Sequence, residues 1–286
     1  MKKILTIIGS TGLGKTDLAI KIAKIINGEI IGLDSRQIYK YMPIGTAQPT
    51  ETELRGVPHH LIGFRDPWKS ISAGEYAKLV LKKVCEINDR NRFPIICGGA
   101  GLYYMAITKG IFSNSHSDAE LREKLEMQYE ENPMPLFDKL QAIDPKYGNI
   151  VHINNKKRLI RALEIFELTG YNPTEHFENQ KKNENQLLDL YTVFLTLDKN
   201  LHLNRIKTRT DQMLKNGWIE EVKNLILLEK EKQSHLPALD SIGYKEIRNY
   251  LHGGDDIHSL RESIIIKTRQ YARKQNKWFK KENIDL

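Results

Sequence analysis

Ile4-Leu5-Thr6-Ile7-Ile8-Gly9-Ser10-Thr11-Gly12-Leu13-Gly14-Lys15-Thr16 is the stretch whose reading decides the fold class. Its first six residues are an apolar, β-branched run of strand length, as a buried parallel strand requires. Its last eight match the spacing G-x-x-x-x-G-K-[ST], placed after a strand and at the mouth of a helix read from about 15 to 26. Glycines there let backbone N–H groups curl around a diphosphate, and the helix N-terminus adds the positive end of its dipole. Lys15 can reach the terminal phosphate oxygens, and the Thr16 hydroxyl can hold Mg²⁺. Gly9, Ser10, Thr11, Gly12, Leu13, Gly14, Lys15 and Thr16 are therefore the candidate diphosphate cradle, with Lys15 and Thr16 as its chemical members. The loop does not distinguish ATP from another diphosphate.

Working outward, further strands are read at 30–34, 93–97 and 191–197, with helices at about 74–90 and 199–215. Strands alternating with helices give an α/β fold, a parallel sheet with helices on both faces. The alternation stops at 118–182, where helical periodicity at 119–131, 133–142 and 155–169 comes without a strand. The chain then divides into a core, 1–117 with 183–286, and an all-helical insertion, 118–182. A polar stretch at 178–188 reads as a linker, and 259–281 as one long basic helix. The third strand ends in Cys97-Gly98-Gly99, without the metal-holding acid usual in ATPases of this class. The acidic candidate is Asp34 at the end of the second strand, over the carboxyl edge of the sheet, where an acceptor can bind. From position alone, Asp34 serves equally well as a turn cap.

At 286 residues and 33.1 kDa, with 40% hydrophobic and 28% charged residues, the chain has the balance of a soluble globular protein. Its apolar runs are strand-sized, too short for a membrane span, and no export signal is read. Cys85 and Cys97 lack paired spacing, which points to a reducing, cytoplasmic setting. Adjacent His59 and His60 have no carboxylate or cysteine at ligand spacing. A net charge of +8 and a pI near 9.2 favour a polyanionic partner. Lys156, Lys157, Arg158 and Arg161 crowd one predicted helix. Arg269, Arg273, Lys277 and Lys280 form a stripe on the last one, with Tyr271 and Trp278 on another side set to pack on the core. Arg205 and Arg209 stand four apart on a further helix. Spacing alone leaves all of these as solvated helix faces.

Asp34-Ser35-Arg36-Gln37-Ile38-Tyr39, followed by Ile44-Gly45-Thr46-Ala47-Gln48-Pro49, resembles the D-S-x-Q-x-Y…I-G-T-A-K-P signature of the tRNA dimethylallyltransferase family. Matches continue at Pro58-His59-His60-Leu61, Gly98-Gly99 with Leu102-Tyr103, Lys157 to Glu164, Ile242 to Glu246 and Thr268 to Gln275. The resemblance implies a P-loop kinase-like core with a helical insertion. It also implies transfer of a dimethylallyl group from dimethylallyl diphosphate to N6 of the adenine 3′-adjacent to the anticodon, with release of diphosphate. Mg²⁺ as cofactor, the tRNA anticodon stem-loop as partner and a monomer off the membrane are expected. An exocyclic adenine amine is a poor nucleophile whose proton must leave as the bond forms, and the family gives that task to the aspartate matching Asp34. Departure of the diphosphate needs its charge neutralised. By position Arg209 best resembles the family's diphosphate-binding arginine, with Arg205 beside it. The reacting base must leave its stack. Implied tRNA contacts are Asp34, Ser35, Arg36, Gln37, Ala100, Arg122, Lys157, Arg158, Leu159, Ile160 and Arg161.

The chain departs from the family where G-G-T-x-L-Y is usual, because Ala100 replaces the threonine. A missing hydrogen bond to a charged group there costs on the order of 1.5–3 kcal/mol, roughly ten- to a hundredfold in rate. A slow enzyme, a diverged paralogue and a variant made to trap a complex all fit this change. Ile153, Asn155 and Lys277 also depart from the pattern, away from the diphosphate. Competing readings are an adenylate dimethylallyltransferase, a small-molecule kinase and a tRNA-binding protein without turnover.

Overall fold

The N-terminal apolar run forms β1 (Ile4–Gly9), and Ile7 and Ile8 are fully buried. β2 (Gly28–Leu33), β3 (His59–His60), β4 (Phe93–Gly98) and β5 (Leu190–Leu195) complete an all-parallel sheet in the order β3-β2-β4-β1-β5. The computed structural model describes residues 3–110, 118–182, 188–254, 256–282 and 284–286. From β1 the chain moves to one side for β2 to β4 and then to the other for β5. The order therefore reverses beside β1, where the carboxyl ends of β1 and β4 open a crevice that suits a ligand.

The strands other than β3 are short and mostly apolar because helices cover the sheet. α1 (Lys15–Ile26) packs Ala19 and Ala23 on Ile7, Ile30 and Ile95. α2 (Glu51–Gly56) starts in a Thr50–Glu53 capping box. α3 (Ala73–Asp89) buries Tyr76, Val80, Val84 and Ile87 at helical spacing. α4 (Gly101–Lys109) follows β4 directly. Between α4 and β5 the chain forms α5 (Ala119–Glu131), α6 (Pro133–Ile143), α7 (Pro145–Gly148), α8 (Lys156–Thr169) and α9 (Pro173–Lys182). After β5 come α10 (Lys199–Lys215), α11 (Trp218–Lys232), α12 (Tyr244–Leu251) and α13 (Ile257–Phe279). No helix among the described residues is long and apolar enough to cross a membrane.

The chain divides into two compact units, Met1–Thr108 with Gln186–Leu286, and Lys109–Asn185. The second is helical and has its own core, in which Leu125, Leu136, Leu140, Leu159, Ile160 and Leu163 are buried together. Residues 111–117 and 183–187, which hold the boundaries read from sequence and part of the stretch read as a linker, lie outside the described residues. Strands and helices read from sequence recur within one or two residues at most ends. β3, α2, α4, α7, α9, α11 and α12 were not read, several of them being short.

Candidate active site

Backbone conformation builds the cradle. Gly12 (φ 83°) and Gly14 (φ 81°) adopt left-handed angles that cost a side-chain-bearing residue free energy. They turn the chain sharply from β1 into α1, whose open N-terminus faces a cleft of about 1030 Å³. Thr11 to Asp17 form one side of that cleft, Asp34, Gln37 and Cys97 to Gly99 its floor, and residues 43–54 a wall. Leu201, Arg205, Arg209 and Met213 close it from α10.

Side chains from far along the chain brace the cradle. Arg205 donates to the Leu13 carbonyl (3.0 Å) and Arg209 to the Thr11 hydroxyl (3.2 Å). His202 lies 2.8 Å from the Thr11 carbonyl through Nε2. From α13, Gln275 accepts from the Thr11 N–H (2.9 Å) and donates to the Gly99 carbonyl (2.8 Å), joining the cradle to the end of β4. Lys15 donates to the Ser10 carbonyl at 2.7 Å. Burial pushes the Lys15 ammonium below its ordinary value; Cys97 and Asp34 oppose that shift and Arg209 adds to it. Arg209 is likewise lowered by burial and drawn back by Asp34. Two desolvated cations thus share one neighbouring carboxylate, and a diphosphate would supply the negative charge they lack.

Asp34, the first residue past β2, reconciles its two sequence readings. Its Oδ1 accepts from the backbone N–H groups of Arg36 (2.7 Å) and Gln37 (3.3 Å), which caps the turn. Oδ2 takes no protein hydrogen bond among the described residues, so one oxygen fixes the carboxylate and the other is not engaged by them. Three tyrosines feel the Asp34 charge. Burial and Asp34 together push the Tyr271 hydroxyl up to about 12, with Arg36 opposing. Burial pushes the Cys97 thiol up to about 11, so it stays protonated at neutral pH. Ser35 and Arg36 are half-exposed on the same turn, and Arg36 donates to the Pro237 carbonyl (3.4 Å). Ala100 is buried beside this turn; its N–H and that of Gly99 both donate to the Leu33 carbonyl at 3.0 Å.

The remaining candidates lie in the helical unit. Lys157 and Arg158 are exposed on the first turn of α8. Arg122 and Arg161 both pair with Glu164, which is fully buried, at 2.8 and 2.6 Å. Leu159 and Ile160 are 0% and 3% exposed in the core of this unit, which corrects their reading as tRNA contacts. On an amphipathic helix whose basic face is turned to solvent, they must point the other way. Lys156 is engaged by Glu130 (2.7 Å) and Glu126 (3.7 Å). On α13, Arg269, Arg273, Lys277 and Lys280 are exposed, and Trp278 packs on Tyr104. Tyr271 departs from its expected packing role: the residue is 39% exposed.

Sequence reasoning gave no role to His202 or Gln275. Gln275 had a signal only as part of the matched motif around Thr268 to Gln275, which carries no chemistry until the helix is placed over the cradle.

The sequence profile of the family described as IPP transferase matches residues 37–282. A tRNA dimethylallyltransferase of Petrotoga mobilis is 42% identical over 281 residues, covering 98% of this chain and 91% of that protein. One from Acetivibrio thermocellus is 41% identical over 287 residues, with 99% and 91% covered. Among solved structures, the full-length tRNA isopentenylpyrophosphate transferase of Bacillus halodurans superposes with a TM-score of 0.68 at 35% identity, over 99% of this chain and 88% of that one. A eukaryotic dimethylallyltransferase acting on tRNA gives 0.79 at 29% identity, over 98% and 70%.

Proposed function

The chain belongs to the IPP transferase family of tRNA dimethylallyltransferases, and from that premise we propose how its residues divide the reaction. The activity is transfer of a dimethylallyl group to N6 of the adenine 3′-adjacent to the anticodon of tRNA. The readings as a free-nucleotide transferase, a kinase or a binding-only protein give way to it. The donor is dimethylallyl diphosphate, the setting is the cytoplasm and the protein acts as a monomer. The core carries the chemistry, and the helical insertion contributes to holding the tRNA.

In this reading the diphosphate lies in the Gly9 to Thr16 cradle, against Lys15, Arg205 and Arg209. As the allylic carbon–oxygen bond breaks, negative charge grows on the leaving diphosphate, and Lys15 and Arg209 stabilise it from positions fixed beforehand. The adenine, flipped out of its stack, enters beside Asp34. Asp34 Oδ2 takes the N6 proton as the new carbon–nitrogen bond forms. Thr16 would hold Mg²⁺ together with diphosphate oxygens. That donor set fits, since Mg²⁺ favours oxygen ligands and commonly comes with phosphates, and among the described residues no group of three His, Cys, Asp or Glu side chains could hold a metal alone. When bound, the ion would neutralise charge on the leaving group. Ser35 to Gln37, Lys157, Arg158 and the exposed face of α13 are proposed tRNA contacts, and Arg122 and Arg161, both paired with Glu164, are proposed to join them.

One observation carries this assignment: Asp34 is held through one oxygen, with the other left unbonded, in the cleft that also holds Lys15 and Arg209. The test incubates the protein with Mg²⁺, dimethylallyl diphosphate and unmodified tRNA, then weighs the digested nucleosides by mass spectrometry. Prenyl-adenosine is expected from the parent, with a loss of about 10²–10⁴ in rate for Asp34→Ala. Full activity in Asp34→Ala would remove the base from the scheme. Absence of product from both the parent and Ala100→Thr, with tRNA still bound, would sink the reaction itself.

A further inference from the structure

The wall at residues 42–48 is irregular, yet it is densely bonded. Gln37 Nε2 donates to the carbonyls of Thr46 (3.0 Å) and Ala47 (2.8 Å), and Gln48 Nε2 donates to those of Gln37 (3.0 Å) and Tyr39 (2.7 Å). The Thr46 hydroxyl donates to the Met42 carbonyl at 2.5 Å. On its far side it is tied to the unit by a carboxylate from α11, beside the Tyr244 hydroxyl, which lies 3.4 Å from the Met42 carbonyl. Glu221 accepts from the N–H of Ile44 at 2.7 Å, from the N–H of Gly45 at 3.0 Å and from the Tyr244 hydroxyl at 2.6 Å. Glu221 is 8% exposed and Tyr244 fully buried. Gly45 is pressed so closely on Trp218 that a Cβ there would stand 1.9 Å from the indole nitrogen. Two motifs some 200 residues apart, around Ile44 and around Tyr244, thus meet on this side chain.

We propose that Glu221 is a positioning residue for the transfer, acting on Asp34 through the wall. The route is continuous. Glu221 fixes the amides of Ile44 and Gly45; the next two carbonyls, of Thr46 and Ala47, hold the Gln37 side chain; and the Gln37 N–H bonds Asp34 Oδ1. The N–H groups of Ile44, Gly45 and Gln37 on this route each meet a carboxylate oxygen, so a shift of the wall moves the turn that aims the base. The cradle stands outside the route, because its braces come from α10 and α13. Glu221 therefore acts on kcat and leaves donor affinity alone. This inference rests on the transferase reading with Asp34 as base.

Glu221→Gln is the discriminating substitution. It keeps the shape but replaces one acceptor oxygen with an NH₂ group, which must face a backbone N–H donor whichever way the amide is turned. Its kcat is expected to fall about tenfold, with KM for dimethylallyl diphosphate unchanged within about twofold. Hydrogen exchange at the Ile44 and Gly45 amides should accelerate while the Gly12 to Lys15 amides keep their protection. Tyr244→Phe leaves both backbone bonds in place and is expected to lose about two- to threefold in kcat; it decides the question if Glu221→Gln does not fold. A folded Glu221→Gln with parental kcat and parental amide protection overturns the proposal, and so does a rise in KM with kcat unchanged. If the parent itself makes no product, the transferase reading has failed, and the exchange experiment still reports whether Glu221 holds the wall.

Discussion

The cradle and the wall face each other across one cleft and are built in opposite ways. The cradle is eight consecutive residues whose ligand-facing groups are mostly backbone N–H, so its side chains matter little apart from Lys15 and Thr16. The wall offers Pro43, Ile44, Ala47 and Gln48 to the cleft, and it is anchored from behind by Glu221, whose side chain does not line the cleft. A contiguous device can be recognised from its letters alone. A remote-anchored one becomes visible only when the chain is folded.

The sharpest way to break this contrast is to remove the cradle's one long cation. Lys15→Ala is expected to lower kcat by about 10²–10³-fold, the usual effect of deleting a group aimed at developing charge. Steady-state rates with saturating tRNA would measure it, and a tenfold effect or less would mean that backbone and arginines neutralise the leaving group unaided. Ala100→Thr probes the floor between cradle and wall. Restoring the family hydroxyl should raise the rate roughly ten- to a hundredfold.

Gly45→Ala tests the wall by packing instead of bonding. With no room beside Trp218, the substitution should cost about 1–3 kcal/mol of stability, read from urea or thermal unfolding. It should also lower kcat as Glu221→Gln does. Glu29 separates anchors of the fold from anchors of the cleft. It lies at the amino end of β2, away from the cleft, and is held by His60 and Arg90, each at 2.6 Å. Burial alone would raise its carboxyl, but the hydrogen bonds from Arg90 and His60 outweigh burial and hold it below its ordinary value. A carboxylate lowered in the folded state stabilises the fold above the unfolded value, about 4–4.5, and that contribution is lost as pH falls through the lower folded value. Glu29→Gln should therefore lose about 1–2 kcal/mol at pH 7, discounted for the exposed arginine. The gap from the parent should shrink on acidification, and kcat should hold throughout. The smallest effect is expected in the cradle: Thr11→Ser keeps the hydroxyl that Arg209 uses and should stay within about twofold of the parent.

The same contrast explains what could be read from the letters. The parallel sheet was legible because Ile4 to Ile8, Ile30 to Leu33 and Ile95 to Cys97 are apolar on both faces, which burial between helices demands. The cradle was legible because glycine at 12 and 14 and Lys15-Thr16 leave little other use. β3 was not, since two histidines carry no strand signal; they join the sheet because β2 lies alongside. Leu159 and Ile160 were misassigned because a motif spans a helix without saying which face each residue takes, and burial decided that. Gln275, Glu221 and Tyr244 act across sequence separations that no local pattern encodes.

The bond between Gln275 and the Thr11 amide joins residues 264 positions apart. A ribosome makes the phosphate loop 264 residues ahead of its brace. During synthesis the loop must wait for that length of chain before it is fastened, and a message cut short upstream of α13 yields a product that has the phosphate motif and lacks the part that secures it.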